Sequence, residues 1–368
     1  MNKMKIAIIL GTRPEIIKLA PIIKELHNQD IEYLVIHSGQ HFSYEMDSIF
    51  FEQLELKPPK YQLHCGEQLK NQKKEIPDAS TMHGMLTGLM LTEFEKILSK
   101  EKPERIIIQG DTNTGLAAAL AAIKLHIPIV HIEAGLRSYD STMPEEINRI
   151  IIDRLSSYLF CPTLLQKKIL EGEGVTKNVF ISGNTIVDSL EFAKKHLTKI
   201  LEKEKLSPKE YILVTLHREE NVDNEKRITE VVEALHTLSK VHTIVFSVHP
   251  RTTMMMKKLN LKISDKIKIL PPCGYFDFVT LETHAALILT DSGGLQEEAC
   301  ILGIPCVTMR ENTERPETID AQANILASTK KEKIILGVSK MLGQSHKWHQ
   351  VFGVPGVSRS IVERVTKP

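Results

Sequence analysis

Short apolar runs alternate with helix-length amphipathic stretches along nearly the whole chain. The runs predict strands at Lys5–Leu10, Tyr33–His37, Arg105–Gln109, Ile129–Ile132, Tyr158–Cys161 and Val179–Ser182. A second set follows at Tyr211–Thr215, Thr243–Ser247, Ile267–Leu270, Ala286–Thr290 and Ile304–Met309. Between them lie predicted helices, among them Pro14–Leu26, Thr114–Leu125, Glu145–Ser157, Asn224–Ser239 and Leu295–Leu302. Strict alternation of strand and helix implies parallel sheets with crossover helices, hence open α/β folds. The strands are rich in Ile and Val without polar alternation, as expected when both sheet faces are covered.

Eleven strands are too many for one common doubly wound sheet, so they divide into six and five. The break falls near residues 183–206, where a predicted helix, Asn184–Lys205, runs into Ser207-Pro208. The expected domains are 1–184, together with the C-terminal helix in 356–368, and 185–355. Val357–Val365 has helical spacing after the Pro355-Gly356 punctuation.

Composition narrows the class. A chain of 368 residues, 42% hydrophobic and 25% charged, is long enough for two ordinary globular domains. Its formal net charge of +1 gives no bias toward nucleic acid or an anionic membrane, so an anionic ligand must be held by a few placed groups. The first apolar run, Ile6–Leu10, is too short for a signal peptide or a membrane span. The five cysteines are odd in number and form no CxxC pair, which suggests neither a disulfide framework nor a zinc site. The expectation is a cytoplasmic protein with buried, reduced thiols and no metal.

Ligands of open parallel sheets bind at the carboxyl ends of strands, near a switch in strand order. Gly11-Thr12-Arg13-Pro14-Glu15, with Lys18, follows the first strand and places two cations at a helix N-terminus, fit for a phosphate or simply exposed there. It is not a GxGxxG, which argues against a nicotinamide cofactor. Gln109-Gly110-Asp111-Thr112 and His131-Ile132-Glu133 set two carboxylates at the ends of neighbouring strands. Such a pair suits proton transfer, although Asp111 could instead cap the helix that follows. In Pro144-Glu145-Glu146 and Asn148-Arg149, Thr142 with Glu145 fits a capping box, so Glu145 is either structural or chemical.

In the second half, His217-Arg218-Glu219-Glu220-Asn221 follows a strand, and His249-Pro250 has a similar setting. The most specific local signal is Thr290-Asp291-Ser292-Gly293-Gly294-Leu295-Gln296-Glu297-Glu298. Its glycines let backbone approach a pyrophosphate at a helix N-terminus, and Glu298 could accept from ribose hydroxyls. Arg315 offers a further cation, unless its loop is only a solvated charged one.

Taken together these segments resemble the non-hydrolysing UDP-N-acetylglucosamine 2-epimerases. The resemblance rests on GTRPEIIKLAP, QGDT, HIEAGLRS with PEEINR, ILVTLHREEN, SVHP, and TDSGGLQEEA with RENTERPE, in order over almost the whole chain. It implies the glycosyltransferase-B fold, two Rossmann-like domains facing across a cleft, no cofactor, and a homodimer. It assigns Asp111, Glu133 and Glu145 as catalytic carboxylates and His217 as a further active-site residue. Ser292, Gly293 and Gly294 match phosphate-binding positions, Glu298 the ribose site, Arg315 and Arg13 the diphosphate site, and Phe278 the uracil side. Lys18 and Arg149 match other substrate-binding positions. Cys273 stands where relatives commonly carry Gln in the uracil loop. An allosteric substrate site is matched by Gln40-His41, with Arg218 and His249 as further candidates, whereas Phe42-Ser43-Tyr44-Glu45 departs from the bacterial pattern.

The chemistry so implied has its own logic. The hydrogen on carbon 2 is not next to a carbonyl, so its direct removal leaves no stabilised carbanion. If UDP departs first, positive charge at carbon 1 makes that hydrogen acidic, and a 2-acetamidoglucal results. Protonation on the opposite face with return of UDP gives the manno epimer. Alternatives are a retaining glycosyltransferase, an epimerase that hydrolyses its intermediate, and a non-catalytic nucleotide-sugar-binding regulator. The three acids argue against the first and the last.

Overall fold

The computed structural model describes residues 4–40, 44–72, 82–343 and 347–367. The chain divides into two compact units, Met1–Ser189 with Phe352–Pro368, and Leu190–Val351. The first contains β1 (Lys5–Leu10), β2 (Glu32–His37), β3 (Tyr61–Gln62), β4 (Arg105–Gln109), β5 (Ile129–Ile132), β6 (Tyr158–Cys161) and β7 (Val179–Ile181). The second contains β8 (Tyr211–Val214), β9 (Thr243–Ser247), β10 (Ile267–Leu270), β11 (Leu287–Thr290), β12 (Cys306–Thr308) and β13 (Asn324–Leu326).

All strand pairs in both sheets are parallel. The orders are β3-β2-β1-β4-β5-β6-β7 and β10-β9-β8-β11-β12-β13. Each is a Rossmann order, reversing direction between β1 and β4 in one sheet and between β8 and β11 in the other. The chain therefore carries two Rossmann-like units, the domain composition of the glycosyltransferase-B class. Burial explains the unalternating strands: Ile6–Leu10 are fully buried, as are Ile106–Ile108 and Leu287–Leu289, because helices cover both sheet faces.

Two features depart from the expectation. Seven and six strands, not six and five, are present among the described residues. The additional strands, β3 and β13, are two- and three-residue edges whose sequences, Tyr-Gln and Asn-Ile-Leu, make no apolar run. The single helix expected over Asn184–Lys205 is broken into Ile186–Ala193, a 3₁₀ turn at Lys194–His196, and Ile200–Lys203. No Pro or Gly breaks it; instead the Thr198 N–H leaves the helical ladder and donates to Thr280 Oγ1 at 3.0 Å.

The C-terminal helix Val357–Val365 belongs to the first unit and buries Val357, Ile361, Val362 and Val365. The Asp188 carboxylate accepts from the N–H groups of Gly356 and Ser358 at 2.6 and 2.7 Å, anchoring that helix start. Gly183 permits the chain's return: its φ is +84°, and a Cβ there would lie 2.8 Å from the Phe352 carbonyl. All five cysteines are free thiols, four of them buried. No helix among the described residues is long and apolar enough to cross a membrane.

Candidate active site

The site of the first unit is built from the loops after β1, β4 and β5. Gly11 ends β1 where a side chain is impossible, since a Cβ would sit 1.8 Å from Ser38 Oγ. The helix Arg13–Asn28 then begins with Pro14 in its first turn. Its first-turn acid, Glu15, accepts from Gly11 N–H at 3.0 Å, Thr12 Oγ1–H at 2.8 Å and Thr112 Oγ1–H at 2.7 Å, so one carboxylate ties the β1 and β4 loops together. Burial pushes its pKa up to about 7 against those hydrogen bonds. The sequence reading left Glu15 out of the site.

Glu133 follows β5 in a left-handed backbone conformation, φ +70°, and is buried. Non-glycine residues in that region cost about 1–3 kcal/mol and cluster at functional sites. Lys18 Nζ donates to both Glu133 oxygens, at 2.7 and 2.8 Å, and Gln109 Nε2 donates to Oε2. The expectation of two acids at adjacent strand ends is met: Gln109 of β4 is in register with Ile132 of β5, and Asp111 and Glu133 follow at once.

Asp111 is partly exposed and is held from the helix Pro144–Leu155. Arg149 Nη2 donates to Asp111 Oδ2, and Asn148 Nδ2 donates to the Asp111 carbonyl at 2.9 Å. The turn below Asp111 is braced as well. The buried His131 ring contacts the Gly110 carbonyl through Nε2 and Asp153 Oδ1 through Nδ1, each at 2.8 Å. Asp153 also accepts from Arg137 Nη1 at 2.7 Å.

Two structural alternatives weighed for the acids do not apply. Asp111 is not a helix cap: Thr112 is the N-cap of Asn113–Lys124, its hydroxyl accepting from Gly115 N–H. Nor does Thr142 form a capping box with Glu145, because the N-cap is Met143 and the Thr142 hydroxyl donates to Asp140 instead. The structural acid of the Glu145-Glu146 pair is Glu146. It accepts from Ser138 N–H and Oγ–H, both at 2.8 Å, Tyr139 N–H at 2.9 Å and Arg149 Nη1 at 2.8 Å. Glu145, half-buried, makes no hydrogen bond or ion pair among the described residues.

The remaining candidates of this unit are placed as follows. Arg13 lies 3.5 Å from Asp47 and over the Phe50 ring. Gln40 Oε1 accepts from Thr114 N–H and hydroxyl, which fastens it to the Asn113–Lys124 helix start. His41 lies outside the described residues.

In the second unit the loops after β8 and β11 meet at the strand-order switch. β11 delivers Asp291, fully buried, and then Ser292, the N-cap of the helix Gly293–Leu302, whose hydroxyl accepts from Leu295 N–H at 3.4 Å. The first N–H groups of that helix, including those of Gly293 and Gly294, have no intrahelical acceptor. Arg315 packs on the same turn: a Cβ at Gly293 would lie 2.8 Å from its Nη1. Glu297 and Glu314 hold the guanidinium, at 2.9 and 3.1 Å. Although burial would raise the Glu314 pKa, hydrogen bonds from Arg310 and the nearby Arg315 charge carry it far below the usual range.

Glu298 is buried on that helix beside Glu282, whose own pKa is driven well up by burial and by Glu298. Cys273 and Phe278 are half-buried and pack against one apolar cluster, and burial pushes the Cys273 thiol up to about 11. His217 and His249 line one pocket with Thr215, Ser247 and Pro272, their ring centroids 6.0 Å apart. His249 also has a local role, its Nδ1 accepting from Arg251 N–H as the N-cap of Pro250–Lys258. Arg218 is half-buried at the start of the turn Glu219–Val222.

The sequence profile of the family described as UDP-N-acetylglucosamine 2-epimerase matches residues 24–366. The chain belongs to the UDP-N-acetylglucosamine 2-epimerase family. It is accordingly an isomerase of the non-hydrolysing epimerase kind. The UDP-N-acetylglucosamine 2-epimerase of Methanocaldococcus jannaschii is 49% identical, the match covering 99% of each chain. A crystal structure of the M. jannaschii UDP-GlcNAc 2-epimerase in complex with UDP-GlcNAc and UDP superposes with a TM-score of 0.89 at 48% identity, over 99% of each chain. A Pseudomonas aeruginosa UDP-2,3-diacetamido-2,3-dideoxy-D-glucuronate 2-epimerase is 40% identical over 99% of this chain and 100% of its own.

The residues that sequence reasoning missed are those facing inward: Glu15, Gln109, His131, Glu146, Asp153 and Asp291. All but Asp153, which lies one turn beyond Arg149 on its helix, fall within a segment already singled out, so the segment was visible but not the direction of the side chain.

Proposed function

We propose that this chain interconverts UDP-N-acetylglucosamine and UDP-N-acetylmannosamine by eliminating UDP to a 2-acetamidoglucal and adding it back. The observation that carries this reading is the set of acids in the first unit, Asp111 and Glu133 at adjacent strand ends and Glu145 on the helix that braces Asp111. Proton removal and delivery at carbon 2 need two such groups, and the two buried cations beside them, Lys18 and Arg149, hold Glu133 and Asp111 in place.

In this reading the nucleotide is held by the second unit. The Ser292–Gly294 helix start and Arg315 take the diphosphate and stabilise charge as it leaves, Arg13 assists, Glu298 takes the ribose, and Phe278 and Cys273 line the uracil side. His217 assists proton transfer at the reacting end. Exclusion of water from the sugar retains the glucal until UDP returns. The enzyme works as a cytoplasmic homodimer, needs no cofactor, and feeds synthesis of surface polysaccharide or another glycan. Gln40, His41, Arg218 and His249 are the candidates for a second, activating substrate site.

The test is turnover of UDP-N-acetylglucosamine in heavy water, followed by NMR. The expected product is UDP-N-acetylmannosamine with deuterium at carbon 2. Epimer without deuterium overturns the proton-transfer mechanism. A second substrate is favoured by the 40% identity to an enzyme named for a diacetamido-glucuronate. The same assay with that nucleotide sugar decides which is preferred.

A further inference from the structure

We propose that Asp291 is a positioning residue for His217: its carboxylate fixes the backbone that carries the imidazole and holds the ring proton on Nδ1, leaving Nε2 as the nitrogen that exchanges protons. The inference rests on the reading of His217 as an active-site residue.

The two residues end adjacent strands, since β8 pairs with β11 at the switch point of the second sheet. Asp291 is fully buried, yet no Lys or Arg pairs with it within 4 Å among the described residues. Its charge is met by N–H groups. Both oxygens lie 3.1 Å from His217 N, and Oδ2 also accepts from Arg218 N–H at 2.9 Å and Asn221 Nδ2 at 3.2 Å. Asn221 in turn donates to the Met309 carbonyl at 3.1 Å, so the loop is closed on three sides. Oδ1 then stands 3.3 Å from His217 Nδ1.

A carboxylate so close decides between imidazole tautomers. A lone pair on Nδ1 would lie at ion-pair distance from negative charge, whereas an N–H there places positive charge beside the carboxylate. The arrangement is that of a base oriented by a buried acid, the general logic of a third group behind a catalytic imidazole. The other groups facing His217 are the guanidiniums of Arg218 and of Arg310, the latter held by Glu314 and lying 3.5 Å from Glu220, and the His249 ring at 6.0 Å. Burial, helped by the two guanidiniums, lowers the basicity of His217, and Asp291 opposes them. A carboxylate there offsets part of that lowering.

The experiment uses full-length protein with ¹⁵N-labelled histidine, the His217 signals being assigned with His217→Asn. Tautomer and titration are read in the wild type and in Asp291→Asn, beside the pH profile of kcat on UDP-N-acetylglucosamine. Asp291→Asn keeps shape and one accepting oxygen but removes the charge. The expected results are a neutral Nδ1–H form in the wild type, and in the variant a His217 titration lower by about one pH unit. The kcat limb should move by the same amount, with kcat down about tenfold or more and UDP affinity little changed. A neutral Nε2–H form in the wild type overturns the proposal, and this holds even if the variant does not fold. So does an unchanged titration in the variant, or a shifted titration with an unmoved kcat limb, which would leave Asp291 a loop anchor only. If the wild type does not turn over this substrate, the proposed function fails, while tautomer and titration still decide whether Asp291 governs His217.

Discussion

The two sheets repeat one strand order around their switch points, yet the ends of their strands carry different chemistry. In the first unit the strand ends present side-chain charges already paired with one another: Glu133 with Lys18, and Asp111 with Arg149. In the second the corresponding ends present backbone, the Ser292–Gly294 helix start with Arg315 beside it, while the carboxylate there, Asp291, is turned inward onto N–H groups. One architecture thus offers ionisable groups in one unit and a fixed positive dipole in the other. Side chains can gain and lose protons, whereas a helix start can only receive charge.

If that division is right, the largest effect belongs to the first unit's acids. Asp111→Asn should lower kcat by about 10²–10⁴-fold with UDP affinity nearly unchanged, measured by steady-state kinetics and calorimetry. Loss of UDP binding together with unfolding would break the contrast. Next in size is the bracing beneath Asp111. Asp153→Ala removes the acid beside buried His131 and leaves Arg137 paired with Glu173 alone, and should cost about 2–3 kcal/mol in denaturant unfolding. A cost under about 1 kcal/mol would show that the network is not what holds the turn.

The second unit should answer differently. Gly293→Ala puts a methyl group against the Arg315 guanidinium and should weaken UDP binding about tenfold, roughly 1.4 kcal/mol, without moving the pH profile of kcat. A shifted profile with intact affinity would reverse the assignment of roles.

Glu15 sharpens the comparison through pH. Its folded pKa, about 7, is raised above the ordinary value of 4.5, so the stability it contributes is present below about 4.5 and is lost as pH rises through about 7. Glu15→Gln should remove that loss, flattening stability between about pH 5 and 7.5, where the native slope is at most about 1.4 kcal/mol per pH unit. Identical pH dependence in the two proteins would place the Glu15 pKa near its ordinary value. The smallest effect is expected for His249→Ala, which deletes one helix cap at an exposed site and should cost about 0.5–1 kcal/mol.

Much of this was legible along the chain. Short apolar runs identified eleven of the strands, several to the residue, because burial on both faces leaves most of them little room for alternation. Pro14 and Ser292 marked helix starts by conformational chemistry that is local. What local rules could not see was direction and partnership. The Asn184–Lys205 segment has no breaker, yet it breaks because Thr280, far along the chain, takes the Thr198 N–H. Glu145 and Glu146 are neighbours of one type, and only folding turned Glu146 into the Ser138–Tyr139 loop and left Glu145 without a partner among the described residues.

The sequence by itself determined the architecture and the segments that matter, since periodicity, glycines and helix starts act over a few residues. The tertiary structure alone decided which acid is structural, which cation pairs with which carboxylate, and that Asp291 stands behind His217. Those are choices of side-chain direction made across strands, where burial forces every charge to find a partner and the sequence separation runs to dozens of residues or more.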